Sequence, residues 1–202
     1  ELERSWLTKQ DPVPGSGSST DQPFSVYFIL DLEGQDEIIE LPVLALRSSD
    51  LTVLGRFHRW VRPVQMFDGL KHGHPNHGSN AVPFSQALSE LLEWVEGIER
   101  SSGGRTAFVT CGNWDLKTQV PQQCAISGVP CPDRFNQWVN IKDVYNADYR
   151  PQRKVTGMQG LLRALGLQAE GMHHLGMDDV DNIARCAVRM MQRDTVLDLT
   201  GR

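Results

Sequence analysis

Three runs near the start of the chain carry strand-like apolar patterns: FSVYFILDLE, EIIELPVLALR and VLGRFHRWVRP. Gly34, Gln35 and Asp36 separate the first two, and Ser48 to Asp50 separate the next pair. Such short polar connections suit antiparallel neighbours, so the pattern predicts a three-stranded meander. From Phe84 the period lengthens. Phe84, Leu88, Leu91, Leu92 and Val95 fall at helical spacing, and the SSGG run at 101–104 ends that helix. RTAFVT then reads as a short strand reached by a crossover, hence parallel to its neighbour. WDLKTQVPQQCAISG reads as a helix interrupted at Pro121, and FNQWVNIKDVY contains the next strand candidate. Two helices close the chain, VTGMQGLLRALGL and DDVDNIARCAVRMMQ, the second with an apolar stripe through Val180, Ile183, Ala184, Ala187 and Met191. The predicted order is β-β-β-α-β-α-β-α-α: an α/β layer fold whose mixed sheet joins an antiparallel meander to parallel strands, with helices flanking it.

The bulk numbers leave that picture intact. With 202 residues, 40% hydrophobic and 22% charged, the composition is that of one globular domain with a real core. DPVPGSGSSTDQP makes residues 1–23 a flexible arm or linker, and 24–202 the folded domain. No apolar run approaches the roughly 18 residues of a membrane span, and no secretory signal opens the chain. Four cysteines, Cys111, Cys124, Cys131 and Cys186, show neither C-x-x-C pairing nor zinc spacing. Free thiols in a reducing, intracellular compartment, cytoplasmic or nuclear, are expected. The net charge of −5 argues against a broad duplex-DNA footprint. A grip on the end of one strand needs far fewer phosphate contacts and remains open.

The first strand run carries two carboxylates, Asp31 and Glu33, in its apolar stretch. Residues two apart in a strand share a face, so these acids project side by side while Leu32 points away. Buried together they repel, and removal from water costs each several kcal/mol unless a divalent cation compensates. A solvated strand end is the plainer reading of the pair alone. Asp115, at the start of a helix just past a strand, and Asp179, at the start of the last helix, each also read as dipole-favoured helix-start residues. His174 stands five residues before Asp179.

Taken together and in order, Asp31, Glu33, Asp115 and the His174–Asp179 unit resemble the D-E-D-h-D set of the DEDDh 3′→5′ exonucleases, on the ribonuclease H-like fold. EIIELPVLAL, FVTCGNWDLKTQVPQQC, QWVNIKDVY and HLGMDDVDNIARCAVRM are similar to segments of the Eri-type exoribonucleases, the family that includes the histone-mRNA 3′ exonuclease. The similarity runs over residues 24–195. It implies a metal-dependent 3′→5′ exoribonuclease that releases 5′-nucleoside monophosphates. Asp31, Glu33, Asp115 and Asp179 would hold two magnesium ions, with manganese able to substitute. One ion activates water and the other stabilises the leaving 3′ oxygen. His174 would be the general base, a role suited to histidine. HH and DD allow either His174 with Asp179 or His173 with Asp178. The family pattern selects the former pair and leaves Asp178 a capping or supporting role. Leu32, Gly34 and Trp114 are the candidate substrate contacts. Trp114 is equally suited to stacking on a base and to core packing.

Single-stranded RNA or RNA 3′ overhangs are the expected partners, with a protein partner possible through the arm or the 67–83 loop and no membrane involvement. The chain departs from the family in three places. Gly34-Gln35 stands for Ala-Thr, and Asn113 for an Asp. A Leu-Thr-Gly-Ile stretch that packs on the terminal nucleotide is replaced by MFDGLKHGHPNHGSNAVPF. His72, His74 and His77 in that run read as a solvated loop rather than a metal site. Two alternatives are carried forward: a catalytically weakened exonuclease-fold module serving nucleic-acid binding or complex assembly, and a deoxyribonuclease with the same acids.

Overall fold

The structure, a computed structural model, describes residues 21–64 and 80–201. The arm up to Thr20, the HGHPNHG histidines, Phe67 and most of the 67–83 loop lie outside the described residues. A mixed sheet forms the centre. It contains β1 (Val26–Leu30), β2 (Glu40–Arg47), β3 (Val53–Arg62), β4 (Val82–Pro83), β5 (Thr106–Thr110) and β6 (Trp138–Asn140), in the order β4-β3-β2-β1-β5-β6. The meander is as expected: β1 pairs antiparallel with β2, and β2 with β3. After helix α1 (Phe84–Ser102) the chain returns as β5, parallel to β1 with Phe28 opposite Phe108, and β6 extends the parallel half. This is the ribonuclease H-like arrangement, with helices α2 (Val120–Ser127), α3 (Ile141–Asp148), α4 (Met158–Leu165) and α5 (Gly176–Met191) completing the layers.

Strand parity divides the core. Val26, Phe28 and Leu30 of β1 pack with Val43, Phe57, Phe84, Leu88, Leu91 and Val95 on the α1–α2 side. Tyr27 and Ile29 face the opposite way, against Leu44, Leu161, Leu165, Val180, Ile183, Ala184, Ala187 and Met191 on the α4–α5 side. The α5 stripe is therefore the buried seam, and each fully buried Leu, Ile or Val contributes about 1.5–3 kcal/mol. Phe57 belongs to the core, while Trp94 is only partly buried against it and Trp60 is half-buried. No described helix is long and apolar enough to cross a membrane.

Three local features differ from the sequence reading. FNQWVNIKDVY contains the expected strand, at Trp138–Asn140, but the unanticipated helix α3 begins at once, because the Asn140 side chain caps it by accepting the Lys142 N–H at 3.2 Å. The helix around Pro121 is not interrupted there. A π-turn over Asp115–Gln119 precedes it, with the Val120 N–H reaching the Asp115 carbonyl. The wider turn suits a proline, which has no N–H and whose ring crowds the carbonyl four residues back. The third is the short β4 strand, which pairs parallel with the end of β3.

Candidate active site

The parity that builds the core also aims the acids. Asp31 and Glu33 continue the Tyr27–Ile29 face beyond the end of β1, toward α5, while Leu32 is buried with the α1–α2 core. Gly34 then turns the chain at φ +115°, and a Cβ there would lie 2.0 Å from the Glu37 carbonyl oxygen, so glycine is required. The turn returns the chain as β2, and Glu33 bridges Glu40 in antiparallel fashion.

Asp179 lies in the first turn of α5 and is 1% exposed. Carboxylate oxygens of Asp31, Glu33 and Asp179 all fall within 4.8 Å of one another. Asp115 joins from the start of the π-turn, where its Oδ1 accepts the Leu32 N–H at 3.0 Å. Leu32 thus presents its amide to the site and its side chain to the core. Trp114 is 56% exposed, so its indole faces solvent rather than the core.

Both histidines of the MHHLGMDD run reach the cluster. His173 Nδ1 is 3.1 Å from each Asp179 oxygen, and the His174 N–H donates to Asp179 Oδ2 at 2.9 Å. His174 adopts φ +67°, a left-handed conformation uncommon outside glycine, and its Nδ1 stands 3.9 Å from Glu33 Oε2. Its side chain is 74% exposed, and the two imidazoles stack with centroids 3.9 Å apart. Asp178 ties the loop down by accepting the Met172 N–H at 2.8 Å. Asn182 adds bonds to the Glu170 backbone.

The electrostatics are those of crowded anions. Burial, followed by repulsion from Asp115, Asp179 and Glu33, raises the Asp31 carboxyl well above the usual carboxylate range, while Lys142 opposes the shift. Burial is also the main cause that lifts Glu33 to about 7, with Asp179 and Glu40 adding to it and His173 opposing. Asp115 is raised by burial, against the hydrogen bonds from the Leu32 and its own backbone amides and the charge of Lys142. A divalent cation would relieve this excess, and a set made only of carboxylate oxygens suits magnesium or manganese. The donor chemistry and spacing therefore fit such ions. Cys111, beside the acids, is pushed up to about 12, chiefly by burial, which leaves it a neutral thiol rather than a nucleophile.

Several residues at the site were not singled out from sequence. Lys142 donates to the Thr156 carbonyl at 2.9 Å and is the cation that stabilises Asp31 and Asp115. Gln119 donates to the Gly34 carbonyl at 2.6 Å while its own Oε1 is buried without a partner among the described residues. Glu40 is buried and bonded to the first turn of α5. His173, weighed from the sequence only as the partner of Asp178, is bonded instead to Asp179. The place of Glu40 inside an apolar strand run was the available signal; Lys142 gave none, because helix α3 was itself not anticipated.

Comparison with known proteins places the chain among exonucleases. The sequence profile of the RNase_T family, described as exonuclease, matches residues 27–187. The chain is 37% identical over 198 residues to an uncharacterized exonuclease domain-containing protein of Arabidopsis thaliana, an alignment covering 90% of this chain and 58% of that protein. It is 29% identical to 3'-5' exoribonuclease 1 of Rattus norvegicus, over 94% of this chain and 59% of that one. The chain thus spans less than two thirds of the length of either relative. Among solved structures, the nuclease domain of 3'hExo, a DEDDh family member, bound to rAMP, superposes with a TM-score of 0.82 at 28% identity, covering 91% of this chain and all of that one.

Proposed function

This chain belongs to the RNase_T exonuclease family, in its DEDDh branch, and we propose that it removes nucleotides from RNA 3′ ends, releasing 5′-nucleoside monophosphates. The observation that carries the reading is the meeting of Asp31, Glu33 and Asp179 oxygens within 4.8 Å, with Asp115 and the two histidines against them. The exoribonuclease name of the rat relative and the ribonucleotide in the 3'hExo nuclease domain support RNA as the substrate. Residues 24–202 would form the exonuclease domain.

Asp31, Glu33, Asp115 and Asp179 would hold two magnesium ions, or manganese in their place. Metal bound there supplies an activated water and a counter-charge for the leaving 3′ oxygen. The residues do the rest. His174, on an exposed loop whose ring can turn, takes the proton of the attacking water at an imidazole nitrogen. The His174 amide and the His173 ring fix the rotamer of Asp179. The Leu32 amide orients Asp115, and the backbone around Leu32 and Gly34 lines the path of the terminal nucleotide. Trp114 offers an exposed ring on which a base can stack.

The test is digestion of a 5′-labelled single-stranded RNA, beside DNA of the same sequence, with magnesium or with EDTA. A ladder shortening from the 3′ end, dependent on magnesium and absent in His174→Ala, is expected. RNA left intact at high enzyme concentration with either magnesium or manganese would overturn the reading in favour of a non-catalytic exonuclease-fold module. DNA digested as fast as RNA would overturn the substrate assignment.

A further inference from the structure

The two halves of the acid cluster come from separate layers. Asp31 and Glu33 follow β1, whereas Asp179 and the histidines belong to the start of α5. Like charges drive these halves apart, so something must hold α5 in place. Helix α5 lacks a side-chain N-cap of its own, since Leu175 occupies that position. The acceptor for its first amide comes from another layer. Glu40, the first residue of β2 and 0% exposed, accepts the Gly176 N–H through Oε2 at 3.1 Å. Its other oxygen, Oε1, lies 2.8 Å from His58 Nε2 on β3.

The contact is close by construction. A Cβ on Gly176 would fall 2.7 Å from Pro42 Cγ and 3.0 Å from the Glu40 carboxyl carbon, so the helix start is pressed against β2. The Glu40 backbone bridges Glu33. One residue is therefore joined to Glu33 through its main chain and to the helix start through its side chain. Asp179 stands three residues after Gly176, and His174 two residues before it.

A buried carboxylate is a poor choice if stability alone is at stake, because an apolar residue of similar volume is often neutral or stabilising at such a position. We propose that Glu40 is a positioning residue for this site. Its carboxylate, braced by His58, pins the first amide of α5 and so sets Asp179 and the histidine loop against Asp31 and Glu33. The proposal rests on the exonuclease reading for its consequence in catalysis, but not for its consequence in structure.

The variants are Glu40→Met, which keeps volume and removes the acceptor, and Glu40→Gln, which keeps an acceptor oxygen. Four quantities are measured: the thermal midpoint, hydrogen exchange of the 174–179 amides, and kcat and KM on a short RNA. For Glu40→Met we expect a folded protein, faster exchange confined to the α5 start, and kcat lowered by about 10–100-fold with KM changed less than about threefold, the scale typical of residues that orient metal ligands. Glu40→Gln should recover most of the kcat and the protection. Wild-type kcat and protection in Glu40→Met would overturn the proposal, as would a Gln variant no better than the Met variant. If the wild-type protein hydrolyses no RNA, the exonuclease reading fails by itself. The exchange comparison then still decides whether Glu40 holds the helix: faster exchange supports it, and unchanged exchange overturns it.

Discussion

Crowded carboxylates make a prediction whose sign is opposite to ordinary acid denaturation. Glu33 is raised from 4.5 to about 7, by burial first and by Asp179 and Glu40 next. In the unfolded chain it returns to its ordinary value. Folding therefore favours the protonated form, and the metal-free protein binds the extra proton between those two pH values. The contribution is fully present below about pH 4.5 and is lost as pH rises through about 7, amounting to about 3 kcal/mol for this residue. Its side chain is 14% exposed, so solvent screening removes little of this. Asp31, raised in the same direction, adds to the effect. For a chain of this length a loss of about 3 kcal/mol lowers the thermal midpoint by about 10 °C.

The assay is thermal or urea unfolding in EDTA from about pH 5 to about pH 8, repeated with excess magnesium. Without metal, stability should fall across the range. With magnesium the slope should flatten or reverse, because metal binds the ionised ligands and its stabilisation grows as they deprotonate. Glu33→Gln should remove its share of the metal-free slope. Metal-free stability that is level or rises over that range, or a Glu33→Gln protein with an unchanged slope, would refute the crowding argument.

Asp115→Asn keeps an oxygen for the Leu32 amide, so it should retain the native circular dichroism spectrum while losing at least about 100-fold in magnesium-dependent hydrolysis, the scale of losing one preorganised charge contact. Gly34→Ala, at φ +115° with no room beside the Glu37 carbonyl, should cost about 1–3 kcal/mol in urea unfolding; a neutral result would mean the turn relaxes freely. Leu44→Ala, at a fully buried position of the α4–α5 side, should cost about 2–5 kcal/mol. Thiol titration of the native protein at about pH 8 should label the exposed Cys131 quickly, while Cys111, held near 12 by its surroundings, reacts only on unfolding.

What could be read from the sequence was what depends on period and order. The meander follows from alternating apolar runs with short polar breaks, and α5 from a stripe that proves to be the main seam on one sheet face. The acids were legible because Asp31 and Glu33 share a parity and because the family pattern orders the remaining residues. Helix α3 escaped because Val139, Ile141 and Val144 are β-branched and imitate a strand. The cue lay in Ile141, Val144 and Tyr145, the buried residues at helical spacing behind an Asn cap. The π-turn at Asp115 depends on which carbonyl an amide chooses, which no residue pattern announces. Glu40 lies inside an apolar strand run, but its role escaped because its partner amide is 136 residues away.

β1 is buried along its whole length, with all five residues enclosed. Its register decides which residues reach the acid cluster. A slip of one residue against β2 would turn Leu32 toward α5 and send Asp31 and Glu33 into the apolar layer beneath α1 and α2. That arrangement would bury two charges without partners, at several kcal/mol each. The native pairing, with Leu30 opposite Val43 and Val26 opposite Arg47, keeps Val26, Phe28 and Leu30 in one core and Tyr27 and Ile29 in the other. The acids are thus aimed by the same alternation that packs the sheet. Substitutions that loosen the β1–β2 register should impair the site before they unfold the domain, because the two carboxylates lie beyond the last fully paired residue.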